Sequence, residues 1–164
     1  LTDRIRESMT FSVPFNEYSG KMDGTVIRFT ATDLEGNPVS SEEIFAQHEI
    51  TMVNLWATWC GPCVGELGEL QKIHTRFQKK DCAVLGLLTA DSDPGSAQDL
   101  MKENGITYQV VTAPEQFYSY FPYEGVPTSF YVDRNGAFLG TKITGAQTDL
   151  YESALEPLLE KVKK

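Results

Sequence analysis

The chain is short of cysteine, histidine and basic residues: three Cys, two His, and 14 Lys+Arg against 23 Asp+Glu in 164 residues, for a net charge of −9. Three cysteines cannot staple a disulfide-framework scaffold. The acidic balance, without a basic stripe, argues against electrostatic binding to nucleic acid or to an anionic bilayer. Its one basic run, Lys161-Val162-Lys163-Lys164, reads as the end of a helix. No apolar run approaches the ~20 residues of a membrane span. A metal centre lacks ligands: Cys60 and Cys63 supply half a zinc spacing, but no second Cys-x-x-Cys follows and His48 and His74 are far apart in the sequence. Both histidines read as structural, one at a helix end and one at a helix border.

What remains is an ordinary globular profile, 41% hydrophobic and 11% aromatic, of a length that fits one domain. We expect an extension over 1–24, whose Phe11, Pro14, Phe15 and Tyr18 show no clear period, and one domain over 25–164. Ile27, Phe29 and Ala31 alternate as in a strand, and Leu34-Glu35-Gly36-Asn37-Pro38 makes a turn before extended structure resumes at Val39. Ser40 or Ser41 can cap a short helix ending near Gln47. Ile50 to Ala57 and Ala83 to Thr89 are almost continuously apolar, as strands buried on both faces are. Between them one helix is expected from the cysteines to about Lys79, burying Leu67, Leu70, Ile73 or His74, and Phe77. Gly65 and Gly68 within it imply close packing or simple tolerance.

Further on, Ser96 to Asn104 reads as a helix closed by Gly105, Tyr108 to Val111 as a short strand, and Pro114 to Phe121 as a tyrosine-rich helix or turn. Packing is the first reading of Tyr118, Tyr120, Phe121, Pro122 and Tyr123, a contact groove for a partner the second. Thr128 to Val132 and Ala137 to Ile143 form a hairpin across Asn135-Gly136. The last helix starts near Thr148 with Leu150, Ala154, Leu155, Leu158 and Val162 inward, and Pro157 should kink or break it. This order predicts an α/β fold, a mixed sheet with helices on both faces.

Chemistry concentrates at Trp59-Cys60-Gly61-Pro62-Cys63, directly after the first buried strand. Two cysteines at this spacing can close into a disulfide and reopen as a dithiol. At a helix start, unpaired N–H groups and the helix dipole stabilise a thiolate, lowering a thiol pKa from ~8.5. Pro62 sits where a first-turn proline is tolerated. Cys82, opening the second apolar run, reads as a small buried hydrophobe.

The motif in its frame, Val53-Asn54-Leu55-Trp56-Ala57-Thr58-Trp59-Cys60, resembles the thioredoxin superfamily and within it the TlpA/ResA-like, AhpC/TSA-related thiol-disulfide oxidoreductases. The resemblance runs from about Phe29 to Lys163. It implies a three-layer thioredoxin-like fold with an extra amino-terminal strand pair, here Phe29 to Val39. Gly125-Val126-Pro127-Thr128 resembles the superfamily's cis-proline loop, which faces the dithiol and offers the backbone of Val126 to a substrate peptide. Asn54 stands where thioredoxins carry a buried aspartate and cannot take a proton. Glu66, one turn beyond Cys63, is the expected replacement.

By the resemblance, Cys60 attacks a client disulfide and Cys63 resolves the mixed disulfide. Trp59 covers the sulfurs and offers clients a flat apolar contact, whereas Trp56 belongs to the core. The uncharged Gly61-Pro62 favours a reductase over a strong oxidant. No cofactor beyond the Cys60–Cys63 disulfide and no metal is expected. The expected partners are client proteins with disulfides or thiols and an upstream electron-donating thiol protein, soluble or membrane-bound, with no nucleic acid and no metal. An extracytoplasmic setting, exported or anchored through a segment upstream of Leu1, is expected, with cytochrome c maturation or thiol maintenance as family roles. Rival readings are a peroxiredoxin-like peroxidase, which wants a lone thiolate and an arginine that this motif lacks, and a non-catalytic binding module, for which an intact dithiol has no use.

Overall fold

A computed structural model describes residues 23–119 and 125–163. In chain order these form β1 (Thr30–Asp33), β2 (Pro38–Ser40), α1 (Ser41–Phe45), β3 (Ile50–Trp56), α2 (Gly61–Gly65), α3 (Leu67–Gln78), β4 (Cys82–Leu88), α4 (Pro94–Glu103), β5 (Gln109–Thr112), a 3₁₀ turn (Glu115–Ser119), β6 (Thr128–Asp133), β7 (Phe138–Thr144) and α5 (Thr148–Val162). The strands make one seven-stranded sheet in the order β2-β1-β5-β4-β3-β6-β7. Pairs β3·β4 and β4·β5 are parallel, and the remaining neighbours are antiparallel. The thioredoxin-like fold with its added amino-terminal strand pair is therefore present.

Strand alternation divides the core into two layers. Every residue of β3 and of β4 is buried. Ile50, Met52 and Trp56 face a layer built from α2 to α5, containing Leu67, Leu70, Ile73, Phe77, Ala97, Leu155 and Leu159. Val53 and Leu55 face the opposite layer, where Phe45 of α1 and Phe117 of the 3₁₀ turn meet Phe29, Phe130 and Phe138. Phe130 stacks on Phe138 at 5.7 Å, while Phe29 meets Phe117 edge-on at 5.5 Å. Gly86 in β4 is dictated by packing: a Cβ there would lie 3.0 Å from Val110 and 3.2 Å from the Trp56 indole nitrogen.

Local chemistry sets the element ends. Ser40 caps α1 by accepting the Glu42 N–H, Asp93 caps α4 by accepting the Ser96 N–H, and Gly105 follows α4 at φ 63°. The hairpin at 133–136 forms as expected, with Gly136 at φ 81°. Asp23 and Gly24, counted above with the extension, bond to β7: the Gly24 N–H donates to the Phe138 carbonyl, and Asp23 accepts the Gly140 N–H. The rest of the extension, and Tyr120 to Tyr123, lie outside the described residues.

Several expectations need correction. The helix after the cysteines is two pieces that meet at Glu66, which closes the first and caps the second with φ/ψ of −98°/−2°. Gly65 has open space where a Cβ would stand, and Gly68 only an ordinary contact 3.8 Å away, so both are tolerated rather than demanded by packing. α5 runs through Pro157 unbroken. Pro157 and Ser153 both lie on the exposed side, where water can satisfy the freed Ser153 carbonyl, while Tyr151, Leu155 and Leu159 fasten the other side to the core. The buried stripe of α5 is thus turned from the expected one, and Leu150 is 42% exposed. The strand expected from Ile27 begins only at Thr30, although Ile27, Phe29 and Ala31 are buried as predicted.

Candidate active site

β3 ends at Trp56, and the loop that follows is pinned from both sides. The Thr89 N–H donates to the Trp56 carbonyl at 2.9 Å, the Cys60 N–H to the Ala57 carbonyl at 3.2 Å, and the Thr58 N–H to Ser92 Oγ at 3.1 Å. Cys60 thereby becomes the N-cap of α2, in extended conformation (φ −97°, ψ 110°), with Pro62 in the first turn. Cys60 and Cys63 are joined by a disulfide with Cα atoms 5.3 Å apart. The Cys63 N–H points at Cys60 Sγ at 3.2 Å. After reduction this donor is in place to stabilise a Cys60 thiolate. Cys60 is 6% exposed and Cys63 is fully buried, so Cys60 is the more accessible of the two.

Trp59 is 59% exposed beside the disulfide. The Thr89 hydroxyl donates to the Asp91 carboxylate at 2.7 Å and, with the Trp59 indole, holds that carboxyl below the usual carboxylate range. A surface hollow of about 480 Å³ opens there, lined by Trp59, Thr89, Ala90, Asp91, Glu115 and Tyr118. On the other side the Val126 carbonyl oxygen lies 3.7 Å from Cys60 Sγ, and the Val126–Pro127 peptide bond is cis. Val126 and Pro127 therefore meet the cysteines in space, 66 residues from Cys60 in the case of Val126. Trp56 is 1% exposed, as a core residue.

One turn beyond Cys63 lies a buried polar cluster. Glu66 is only 4% exposed. Its Oε1 accepts from the Tyr151 hydroxyl at 2.9 Å and its Oε2 from Asn54 Nδ2 at 3.2 Å. Burial pushes the Glu66 carboxyl up to about 7, against the opposing pull of those two donors. Asn54 Nδ2 also donates to Ser129 Oγ at 3.0 Å, and Asn54 Oδ1 is buried without a partner among the described residues. Sequence reasoning reached Asn54 and Glu66 but missed Ser129 and Tyr151. Tyr151 was hidden by the misphased stripe of α5, and a tyrosine on the inner face of an otherwise aliphatic helix was the available signal.

Cys82 is a free buried cysteine with its thiol pushed up to about 11 by burial, and it belongs to the core. His74 is buried too. Its Nδ1 accepts the Val84 N–H at 3.1 Å, and burial, with His48 nearby, lowers its pKa, so the ring is neutral and structural.

A vicinal cysteine pair closing on itself at a helix start, on a thioredoxin-like sheet and opposite a proline loop, defines a thiol-disulfide oxidoreductase. Residues 23–137 match the AhpC/TSA family, and the chain belongs to that family. It is 26% identical over 135 residues to the thiol-disulfide oxidoreductase ResA of Bacillus cereus, covering 82% of this chain and 74% of that protein. It is 30% identical over 133 residues to the thiol:disulfide interchange protein DsbE of Haemophilus influenzae, covering 80% and 71%. In fold it is similar to a thioredoxin-family thiol:disulfide interchange protein from Chlorobium tepidum, with a TM-score of 0.69 and 24% identity over 84% of this chain and 97% of that one. A secreted disulfide oxidoreductase of Mycobacterium tuberculosis shares the fold with a TM-score of 0.63, at 17% identity over 80% of this chain and 97% of that one. The chain is an enzyme of the ResA/DsbE type, and its clients are proteins bearing thiols or disulfides. No helix among the described residues is long and apolar enough to cross a membrane.

Proposed function

We propose that the chain is a protein-disulfide reductase of an extracytoplasmic compartment, serving cytochrome c maturation or a related thiol-maintenance role. The observation that carries the direction of attack is the unequal placement of the two cysteines, Cys60 6% exposed at the mouth of α2 and Cys63 fully buried. In the reduced enzyme the Cys60 thiolate, steadied by the Cys63 N–H, attacks one sulfur of a client disulfide. The S–S bond breaks, the client's second sulfur leaves as a thiolate, and Cys60 is joined to the client. Cys63 then attacks Cys60 Sγ, the Cys60–Cys63 disulfide forms, and the client departs with both sulfurs reduced. Glu66, one turn beyond Cys63, accepts the proton that the Cys63 thiol gives up. A titration near neutrality suits a carboxyl to that task. Asn54 holds one Glu66 oxygen and takes no proton itself. Two electrons from an upstream thiol protein reset the pair.

Trp59 and the hollow beside it offer a flat contact for the client backbone, and Val126 offers main-chain hydrogen bonds. Gly61 and Pro62 add no charge to the cysteine turn, which supports reduction rather than strong oxidation. The relatives' names support the exchange chemistry, and the secreted Mycobacterium protein of the same fold supports the compartment. The test is capture. A Cys63→Ser variant should accumulate mixed disulfides through Cys60, and identification of the trapped proteins gives the client class. If Cys60→Ser captures clients through Cys63 equally well, the assignment of the attacking sulfur is wrong.

A further inference from the structure

Tyr151 occupies a position that the exchange chemistry alone does not explain. Its hydroxyl carries one proton and has two acceptors in reach, Glu66 Oε1 at 2.9 Å and the Gly145 carbonyl at 3.2 Å. The Gln147 N–H approaches the same oxygen at 3.4 Å. The Gly145 N–H in turn donates to the Pro127 carbonyl at 2.8 Å. One phenol therefore touches the buried carboxyl one turn beyond Cys63 and the segment that braces the proline loop beside Cys60. Its own placement is firm: Tyr151 is fully buried, and the Tyr131 hydroxyl donates to its carbonyl at 2.6 Å.

We propose that Tyr151 is a positioning residue whose hydroxyl reverses its hydrogen bond as Glu66 gains or loses a proton, so that the loop carrying Pro127 registers the protonation of the site. With Glu66 ionised, the Tyr151 O–H donates to Oε1. When Glu66 takes the Cys63 proton, the new carboxyl O–H donates to the Tyr151 oxygen, and the phenol proton turns to the Gly145 carbonyl. No atom leaves the cluster, and every donor keeps an acceptor in both states. The groups around Glu66 suit such a device. They are Tyr151 from α5, Asn54 from β3, Ser129 from β6, Cys63 one turn earlier, and Tyr108, whose own ionisation is opposed by the Glu66 charge. Asn54 and Ser129 do not ionise, burial drives both tyrosines well above the usual phenol range, and in the oxidised chain the bonded Cys63 does not titrate, so there Glu66 is the group of this cluster that changes charge near neutral pH. The proposal rests on Glu66 accepting the Cys63 proton.

The experiment uses the reduced chain and 5,5′-dithiobis(2-nitrobenzoate) in stopped flow. The first chromophore is released as Cys60 attacks, the second as Cys63 resolves the adduct. In the wild type the second phase should follow the titration of Glu66. Tyr151→Phe keeps the ring and removes only the hydroxyl, so the carboxylate loses a donor. The acid limb of the second phase should then move to higher pH by about one unit, the size of a single hydrogen bond, with the first phase unchanged. Glu66→Gln should abolish that limb, and adding Tyr151→Phe to it should change nothing more. A second readout is the Gly145 amide signal in NMR spectra of the oxidised chain. It should titrate with Glu66 in the wild type and lose that titration in Tyr151→Phe. A Tyr151→Phe profile that coincides with the wild type while Glu66→Gln loses its limb overturns the role of Tyr151 alone. A Gly145 signal indifferent to pH in the wild type overturns the link to the loop. Identical limbs in the wild type and Glu66→Gln overturn the reading of Glu66 and, with it, this proposal.

Discussion

Replacing Glu66 with Gln should remove a pH dependence of stability that belongs to this one carboxyl. Burial raises its pKa in the folded chain from 4.5 to about 7, so the native state holds that proton more tightly than the unfolded chain does. The contribution is complete below the unfolded value, near 4.5, and is lost as pH rises through the folded value, near 7. At ~1.4 kcal/mol per pKa unit, the loss across that window is about 3 kcal/mol. The oxidised protein is the clean sample, because Cys60 and Cys63 are bonded to each other and do not titrate. His74 acts in the opposite sense: its lowered pKa gives stability above the ordinary imidazole value of 6.5 that is lost as pH falls. That effect is common to both chains and cancels in the difference. Urea denaturation from about pH 5 to about pH 8, followed by tryptophan fluorescence, measures it. The wild type should lose about 3 kcal/mol relative to Glu66→Gln over that range. Parallel curves for the two proteins would refute the claim that desolvation governs Glu66.

Trp59→Ala should slow reduction of protein disulfides at least several-fold while leaving exchange with glutathione disulfide nearly unchanged, because the exposed indole is read as a client contact. An equal loss on both substrates would place its role at the sulfurs instead. Gly86→Ala should destabilise the fold by about 1–3 kcal/mol through overpacking against Val110 and Trp56, measurable by thermal unfolding. An unchanged midpoint would mean that β4 shifts freely. Cys82→Ala should leave the insulin-reduction rate intact, since this thiol is buried and donates to the Lys80 carbonyl at 3.4 Å. A marked loss of rate would make Cys82 a participant in exchange.

The parts of the fold written in local chemistry were legible in the sequence. Continuous apolar runs marked β3 and β4, Asn135-Gly136 marked the hairpin, and Trp59 to Cys63 marked the chemistry. The rest depends on long-range packing. Pro157 looks like a helix breaker until its exposed side and the buried Tyr151, Leu155 and Leu159 opposite are known. The break at Glu66 has no strong local signal, since Gly65 and Gly68 also fit a continuous helix. At the site, Asn54 and Glu66 were legible through the family resemblance, which gives meaning to the positions six residues before Cys60 and one helix turn after Cys63. Ser129, Gly145 and Tyr151 come from the far end of the chain and reach the cluster only through the register of β6 against β3 and the docking of α5.

The central claim is that the sulfur of Cys60 is the nucleophile. Residue-resolved iodoacetamide labelling of the freshly reduced chain at neutral pH tests it most directly, with the buried Cys82 as an internal reference. Labelling at Cys60 should outpace Cys63 and Cys82 at least ~10-fold, as a partly ionised and more accessible thiol outpaces fully buried ones. A Cys60 labelled no faster than Cys82 would contradict the account.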